Sequence, residues 1–123
     1  MDRKAQRDAA YKLIFEFVVT GNENPYGLEE LSAGYITRVF AGIIERKDEL
    51  NAVIDKYADG FEGRVFPADR AALLLATYEI LYEDDIPSVV SINEAVELVN
   101  LYSTKKSPSY VNGILGKVIK SEK

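Results

Sequence analysis

The chain contains no cysteine and no histidine. Disulfides, thiol chemistry, Cys/His zinc sites and Ser-His-Asp triads are thereby excluded. No apolar run is long enough to span a bilayer. The N-terminal stretch MDRKAQRDAAYKLIF sets basic residues before an apolar run, but Asp8 and Lys12 interrupt it and no cleavage site follows. It reads as an amphipathic helix rather than a signal peptide, so a soluble cytoplasmic protein is expected. No segment alternates with period two, no glycine-rich phosphate loop is present, and no long-period repeat recurs. What remains is an all-α reading of 123 residues, the size of one domain. A hydrophobic share of 47% is enough for an ordinary soluble core.

The net charge of −5 is unevenly spread. Residues 1–12 carry Arg3, Lys4, Arg7 and Lys12 against Asp2 and Asp8, and residues 105–123 carry five lysines against Glu122. The remainder is strongly acidic. Such asymmetry assigns separate partners to separate surfaces. If folding joins the two ends, they form one basic patch on an acidic body; terminal lysines also serve simply to solubilise frayed ends.

Apolar spacing predicts a first helix over 4–19 with Ala10, Leu13, Ile14, Phe17 and Val18 inward. Arg3, Lys4 and Arg7 sit in its first turn, where cations oppose the helix dipole. That charge is unfavourable for the helix and favours a binding role. GNENPYG is a loop by composition, and residues 28–31 read as a short helical turn. Tyr35, Ile36, Val39, Phe40, Ile43 and Ile44 mark a long helix, and Leu50, Val53, Ile54 and Tyr57 mark another with Asp48 as its N-cap. One bent helix is the alternative. GFEG at 60–63 is the best subdomain boundary. Pro67 opens a helix whose consecutive apolar residues Leu73 to Ala76 predict burial on all sides.

The stretch from Pro87 to Leu115 predicts a helical hairpin. Ser91 and Glu94 have capping-box spacing, with Ile92, Ala95, Val96 and Val99 on one apolar face. Ser107 before Pro108 reads as the next N-cap, followed by Val111, Ile114, Leu115, Val118 and Ile119. Gly113 inside this stripe is expected to admit a close backbone neighbour. Enzyme signals are weak. Glu83, Asp84 and Asp85 lack calcium-loop spacing and read as a solvated acidic turn, and Glu79 reads as the partner of a nearby donor. Asn93, Glu94 and Asn112 read as structural hydrogen-bonding groups. No metal or cofactor is expected. The turn Lys105-Lys106-Ser107 differs, because lysines and hydroxyls before a helix N-terminus favour phosphate. Tyr110, within one turn, suits stacking on an unpaired base, although an aromatic there also suits the core.

RAALLLATYEILYEDDIPSVVSINEAVELVNLYSTKKSPSYVNGILGKV resembles the C-terminal half of the NusB family of bacterial transcription antitermination factors. INEAVEL and YVNGIL stand in the family's order and spacing. The likeness is specific over 70–118 and looser over 3–58, where DRKAQR and YITRVFAGII carry it. It implies a NusB-like bundle of about six to seven helices in two packed subdomains, about 1–60 and 61–123, within one domain. It implies a non-enzymatic factor that joins a small-subunit ribosomal protein, called NusE in this role, on boxA-type single-stranded RNA of ribosomal-operon transcripts. The transcription elongation complex is a further implied partner, and monomer and homodimer both stay open.

The resemblance also implies RNA contacts at Arg3, Lys4, Arg7, Lys105, Lys106, Ser107 and Tyr110, and a partner contact at Asp69. Three departures stand out. Leu74 occupies a position where the family usually has arginine, Lys106 one where relatives carry an acid, and Gln6 thins the basic opening. A helical protein–protein scaffold without RNA contact is therefore the alternative function. The same fold forms the RNA-binding end of certain ribosomal-RNA methyltransferases; after KVIKSEK no room is left for a methyl-donor domain, and a free-standing factor is expected.

Overall fold

Pro67 begins the helix on which the others are assembled. Its fixed φ suits a first helical turn, where a missing N–H costs nothing, and Asp69 sets an anion at the positive end of the dipole. The structure is a computed structural model that describes residues 2–28, 34–58 and 65–123. Among these residues it contains six helices: α1 (Arg3–Thr20), α2 (Gly34–Glu45), α3 (Lys47–Tyr57), α4 (Pro67–Tyr82), α5 (Ser88–Tyr102) and α6 (Ser107–Glu122). α4 packs against each of the other five. Every residue from Ala71 to Ile80 is consequently buried. Ala71, Ala72 and Ala76 let neighbouring helices approach, while Leu73, Leu74 and Ile80 fill the layers between them. Each buried Leu or Ile contributes about 1.5–3 kcal/mol. None of the described helices is long and apolar enough to cross a membrane.

α1 matches its expected span within a residue at each end. Asp2 caps it by accepting from the Ala5 N–H at 2.8 Å, and Gly21, at φ 80°, ends it in a left-handed conformation. Ala10 and Ile14 are fully buried as expected. Leu13, Phe17 and Val18 are only partly buried, and Tyr11 and Arg7 go inside instead.

The stretch after α1 forms two helices, as expected, but Asp48 is not the cap between them. Arg46 occupies the N-cap position without a side-chain bond, and Asp48 lies in the first turn of α3, where it faces the dipole. Gly42 of α2 is the glycine that a close approach requires: a Cβ there would fall 2.5 Å from the Tyr78 ring carbons. Gly113 is exposed, with nothing within 4 Å of a Cβ position. The close contact expected at Gly113 is therefore absent, because the apolar stripe of α6 passes on the other side of the helix. The helical turn expected at 28–31 and the boundary expected at 60–63 fall on or run into residues 29–33 and 59–64, outside the described residues.

The α5–α6 hairpin forms with both starts moved. α5 begins at Ser88, with Pro87 at the N-cap, so Ser91 lies inside the helix and is not a capping-box residue. Its hydroxyl is taken by a buried carboxylate, Glu79 Oε1, at 2.8 Å. α6 begins at Ser107, one residue before the expected helical start, with Lys106 at the N-cap.

Candidate nucleic-acid interface

The turn between α5 and α6 is tied down from beneath. Ser103 Oγ donates to Asp69 Oδ1 at 2.7 Å, and Ser107 Oγ donates to Asp69 Oδ2 at 3.0 Å. Ser107 Oγ also accepts from the Thr104 N–H at 3.2 Å. Asp69 is 2% exposed and Ser107 1%, so neither expected contact residue is presented to solvent. Each is instead part of the hydrogen bonding that closes the turn. Lys105 and Lys106 are exposed above them. Neither forms an ion pair among the described residues.

Those lysines open onto a groove of about 630 Å³ whose walls include Tyr57, Tyr110 and Lys117, with Gly113 on the floor. Lacking a side chain, Gly113 leaves the groove open. Tyr110 is half-buried against the core, and burial, then the nearby Asp69 charge, holds its phenol above the ordinary pKa. Lys117, like Lys120, has no acid within ion-pair reach among the described residues. Spacing could have found Lys117, seven residues and two helical turns beyond Tyr110. Tyr57 read in the sequence only as part of an apolar stripe, and α3 brings it to the groove from a distant part of the chain. Cations beside aromatic faces suit the backbone and bases of a single strand.

The N-terminal cations lie elsewhere. Lys4 Nζ stands 2.6 Å from Glu97 Oε2 and 3.7 Å from Glu94 Oε1. The hydrogen bond to Glu97 raises the lysine's pKa, and the same bond lowers that of Glu97. Arg7 is 5% exposed. Its Nε donates to Glu79 Oε2 at 2.9 Å, and Tyr35 and Ser91 give their hydroxyl hydrogens to the same carboxylate. Burial opposes the Arg7 charge, but Glu79's hydrogen bond and attraction outweigh it and hold its pKa above the ordinary value. Arg3 lies over the Tyr35 ring, 4.3 Å from its centroid. Lys4 and Arg7 border a second groove of about 470 Å³, which Asp2, Asp8, Glu94 and Glu97 also line. The two chain ends therefore line separate grooves: acids pair with Lys4 and Arg7 of α1, whereas Lys105 and Lys106 form no ion pair among the described residues.

One further placement differs from the expectation. Glu83 is buried rather than solvated, because Arg38 Nη2 meets its Oε1 at 2.7 Å; Asp84 and Asp85 alone stay exposed. Leu74 is fully buried, so α4 contributes no cation there. A third hollow, about 220 Å³, lies between Tyr11, Phe15, Ala68 and Tyr102. Tyr11 and Tyr102 stack at 5.6 Å, and Phe15 and Tyr102 remain 39% and 45% exposed. This apolar surface adjoins the turn through Tyr102 and α4 through Ala68.

Comparison with known proteins agrees with this architecture. A family model described as the NusB family matches residues 4–120. The transcription antitermination protein NusB of Acetivibrio thermocellus is 39% identical over 130 residues, covering 98% of this chain and 90% of that protein. Its counterpart in Clostridium kluyveri is 47% identical over 102 residues, covering 82% of this chain. That match spans 65% of the C. kluyveri protein's own length. Among solved structures, T. maritima NusB superposes with a TM-score of 0.85 at 32% identity, covering 98% of this chain and 92% of that one. A complex of antitermination factors NusB and NusE with dsRNA matches with a TM-score of 0.81 at 23% identity over 97% of this chain, a likeness of fold. The α4-centred bundle, the hairpin motif and the match along nearly the whole chain agree: the chain belongs to the NusB family.

Proposed function

We propose that this protein is a non-enzymatic adaptor of transcription antitermination. It binds boxA-type single-stranded RNA together with the small-subunit ribosomal protein NusE, in the cytoplasm and beside the transcription elongation complex. It does so as one domain whose N-terminal and C-terminal halves pack on α4. The observation that carries this reading is the groove in which Lys105, Lys106 and Lys117, with no ion pair among the described residues, stand beside Tyr57 and Tyr110. The naming of NusE and RNA in the structurally similar complex supports the choice of partners. The hollow at Phe15, Ala68 and Tyr102 is the surface we assign to the protein partner, with Asp69 beneath it and the acidic body suited to a basic ribosomal protein. The expected RNA contacts divide accordingly. Lys105, Lys106 and Tyr110 meet RNA directly, Ser107 shapes the turn, and Lys4 is secondary because Glu94 and Glu97 compete for it, while Arg3 is held against the Tyr35 ring. Arg7 supports the fold beneath them.

A scaffold without RNA contact is the second reading, favoured by the pairing of the α1 cations and by buried Leu74. Salt titration of binding to a boxA-type single strand separates the two. An adaptor loses affinity as counterions are released, by about 0.7 in log–log slope per phosphate contact. Lys106→Ala should lower that slope, while Tyr110→Ala should weaken binding by about 1–3 kcal/mol at unchanged slope. Absence of salt-dependent binding by the wild-type chain would favour the scaffold.

A further inference from the structure

We propose that Asp69 is a positioning residue for nucleic-acid binding, its buried carboxylate setting the direction in which Lys105 and Lys106 project. The inference rests on the reading of the lysine turn as an RNA contact. It is carried by the way one carboxylate engages both ends of one turn. Oδ1 accepts from Ser103, the residue that follows α5, and Oδ2 accepts from Ser107, the first residue of α6. Only Thr104, Lys105 and Lys106 lie between them. The Thr104 N–H closes the turn on Ser107 Oγ at 3.2 Å, and the Ser107 N–H bonds back to the Thr104 carbonyl at 3.1 Å.

Asp69 is itself immobile, since it projects from the first turn of the central helix and is 2% exposed. The lysine backbone is thus anchored to the most deeply packed element of the molecule. A turn ordered before binding does not lose that freedom when RNA arrives, whereas a loose turn does.

Electrostatics alone predicts the opposite sign. An anion near two lysines weakens their attraction for phosphate, so a purely electrostatic Asp69 would tighten RNA binding when removed. Positioning predicts that Asp69→Ala weakens it, by about five- to a hundredfold for two lysines ordered at binding. The salt slope should stay near the wild-type value, because both lysines remain. Asp69→Asn keeps the shape and one acceptor and should recover most of the affinity. Ser103→Ala removes one arm while leaving the buried carboxylate bonded to Ser107, and it should give a partial loss even if Asp69→Ala folds poorly.

The experiment is fluorescence anisotropy with a boxA-type single-stranded RNA oligonucleotide across a salt series, at a temperature where each variant is folded by circular dichroism. Hydrogen exchange should show the Thr104 amide exposed in Asp69→Ala while the amides of α4 keep their protection. Equal or tighter RNA binding by folded Asp69→Ala, or unchanged binding by Ser103→Ala, overturns the proposal. If Lys105→Ala and Lys106→Ala leave wild-type affinity and slope untouched, the turn is no RNA contact. The positioning role then falls with that reading, an outcome distinct from failure of Asp69 alone.

Discussion

Glu79 shows how one residue can hold several helices together. From the middle of α4 it receives the Arg7 guanidinium of α1, the Tyr35 hydroxyl of α2 and the Ser91 hydroxyl of α5, all buried. The desolvation of both charges is offset only while the set is complete. Arg7→Ala leaves the carboxylate without its counter-ion and should destabilise the fold by about 3–5 kcal/mol, measured by urea denaturation. The glycines offer a second test at this scale, with opposite signs. Gly42→Ala drives a methyl into the Tyr78 ring, and overpacking of about 1–3 kcal/mol exceeds the roughly 1 kcal/mol gained in helix propensity. Gly113→Ala meets nothing and should stabilise by about 0.5–1 kcal/mol. An equal shift in both would mean that Tyr78 moves aside freely.

At the scale of elements, the hairpin shows where local signals give way to tertiary ones. Ser91 has the spacing of a capping box, yet α5 starts a turn earlier and the hydroxyl goes to Glu79. Ser91→Ala should therefore cost about 1.5–3 kcal/mol, the range for a hydrogen bond to a charged group. Ser88→Ala, at the actual helix start, loses only an exposed contact with Lys123 and should stay within about 0.5 kcal/mol. A capping role for Ser91 would show instead as fraying of α5, with faster amide exchange confined to its first turn. The existence and type of the helices at 4–19, 35–57, 67–82 and 107–119 were legible, because their apolar stripes are long. Their exact starts were not, because a serine hydroxyl binds the strongest acceptor within reach, wherever in the fold that lies.

For the whole molecule, the burial of tyrosines makes alkaline stability a test of packing. Burial, followed by the negative charges of Asp69, Tyr102 and Asp8, pushes Tyr11 from 10.0 up to about 12. Tyr35 is raised further by burial and by Glu79. A phenol that ionises at a higher pH when folded than when unfolded contributes stability that is complete below its unfolded pKa. That contribution is lost as pH rises through the folded value. The melting temperature should thus hold to about pH 10 and fall steeply toward pH 12. Tyr11→Phe should flatten the fall at the cost of the hydrogen bond to the Ala68 carbonyl. A melting temperature already declining between pH 7 and 9 would place the sensitive groups elsewhere.

The sequence by itself determined the all-α class, the buried central helix, the hairpin and the basic turn, since each depends on residues close together in the chain. It also carried the family likeness, through INEAVEL and YVNGIL. Only tertiary structure decided which cations are available. Arg3, Lys4 and Arg7 read as a binding cluster along the chain, but Glu79, Glu94 and Glu97 come from helices some seventy to ninety residues away and engage two of the three. Likewise Asp69 looks like an exposed helix-start acid until Ser103 and Ser107 close over it. Tyr57 enters the basic groove only because α3 packs beside α6. Helices follow from local periodicity, whereas the balance of charge at a surface is set by which helices meet there.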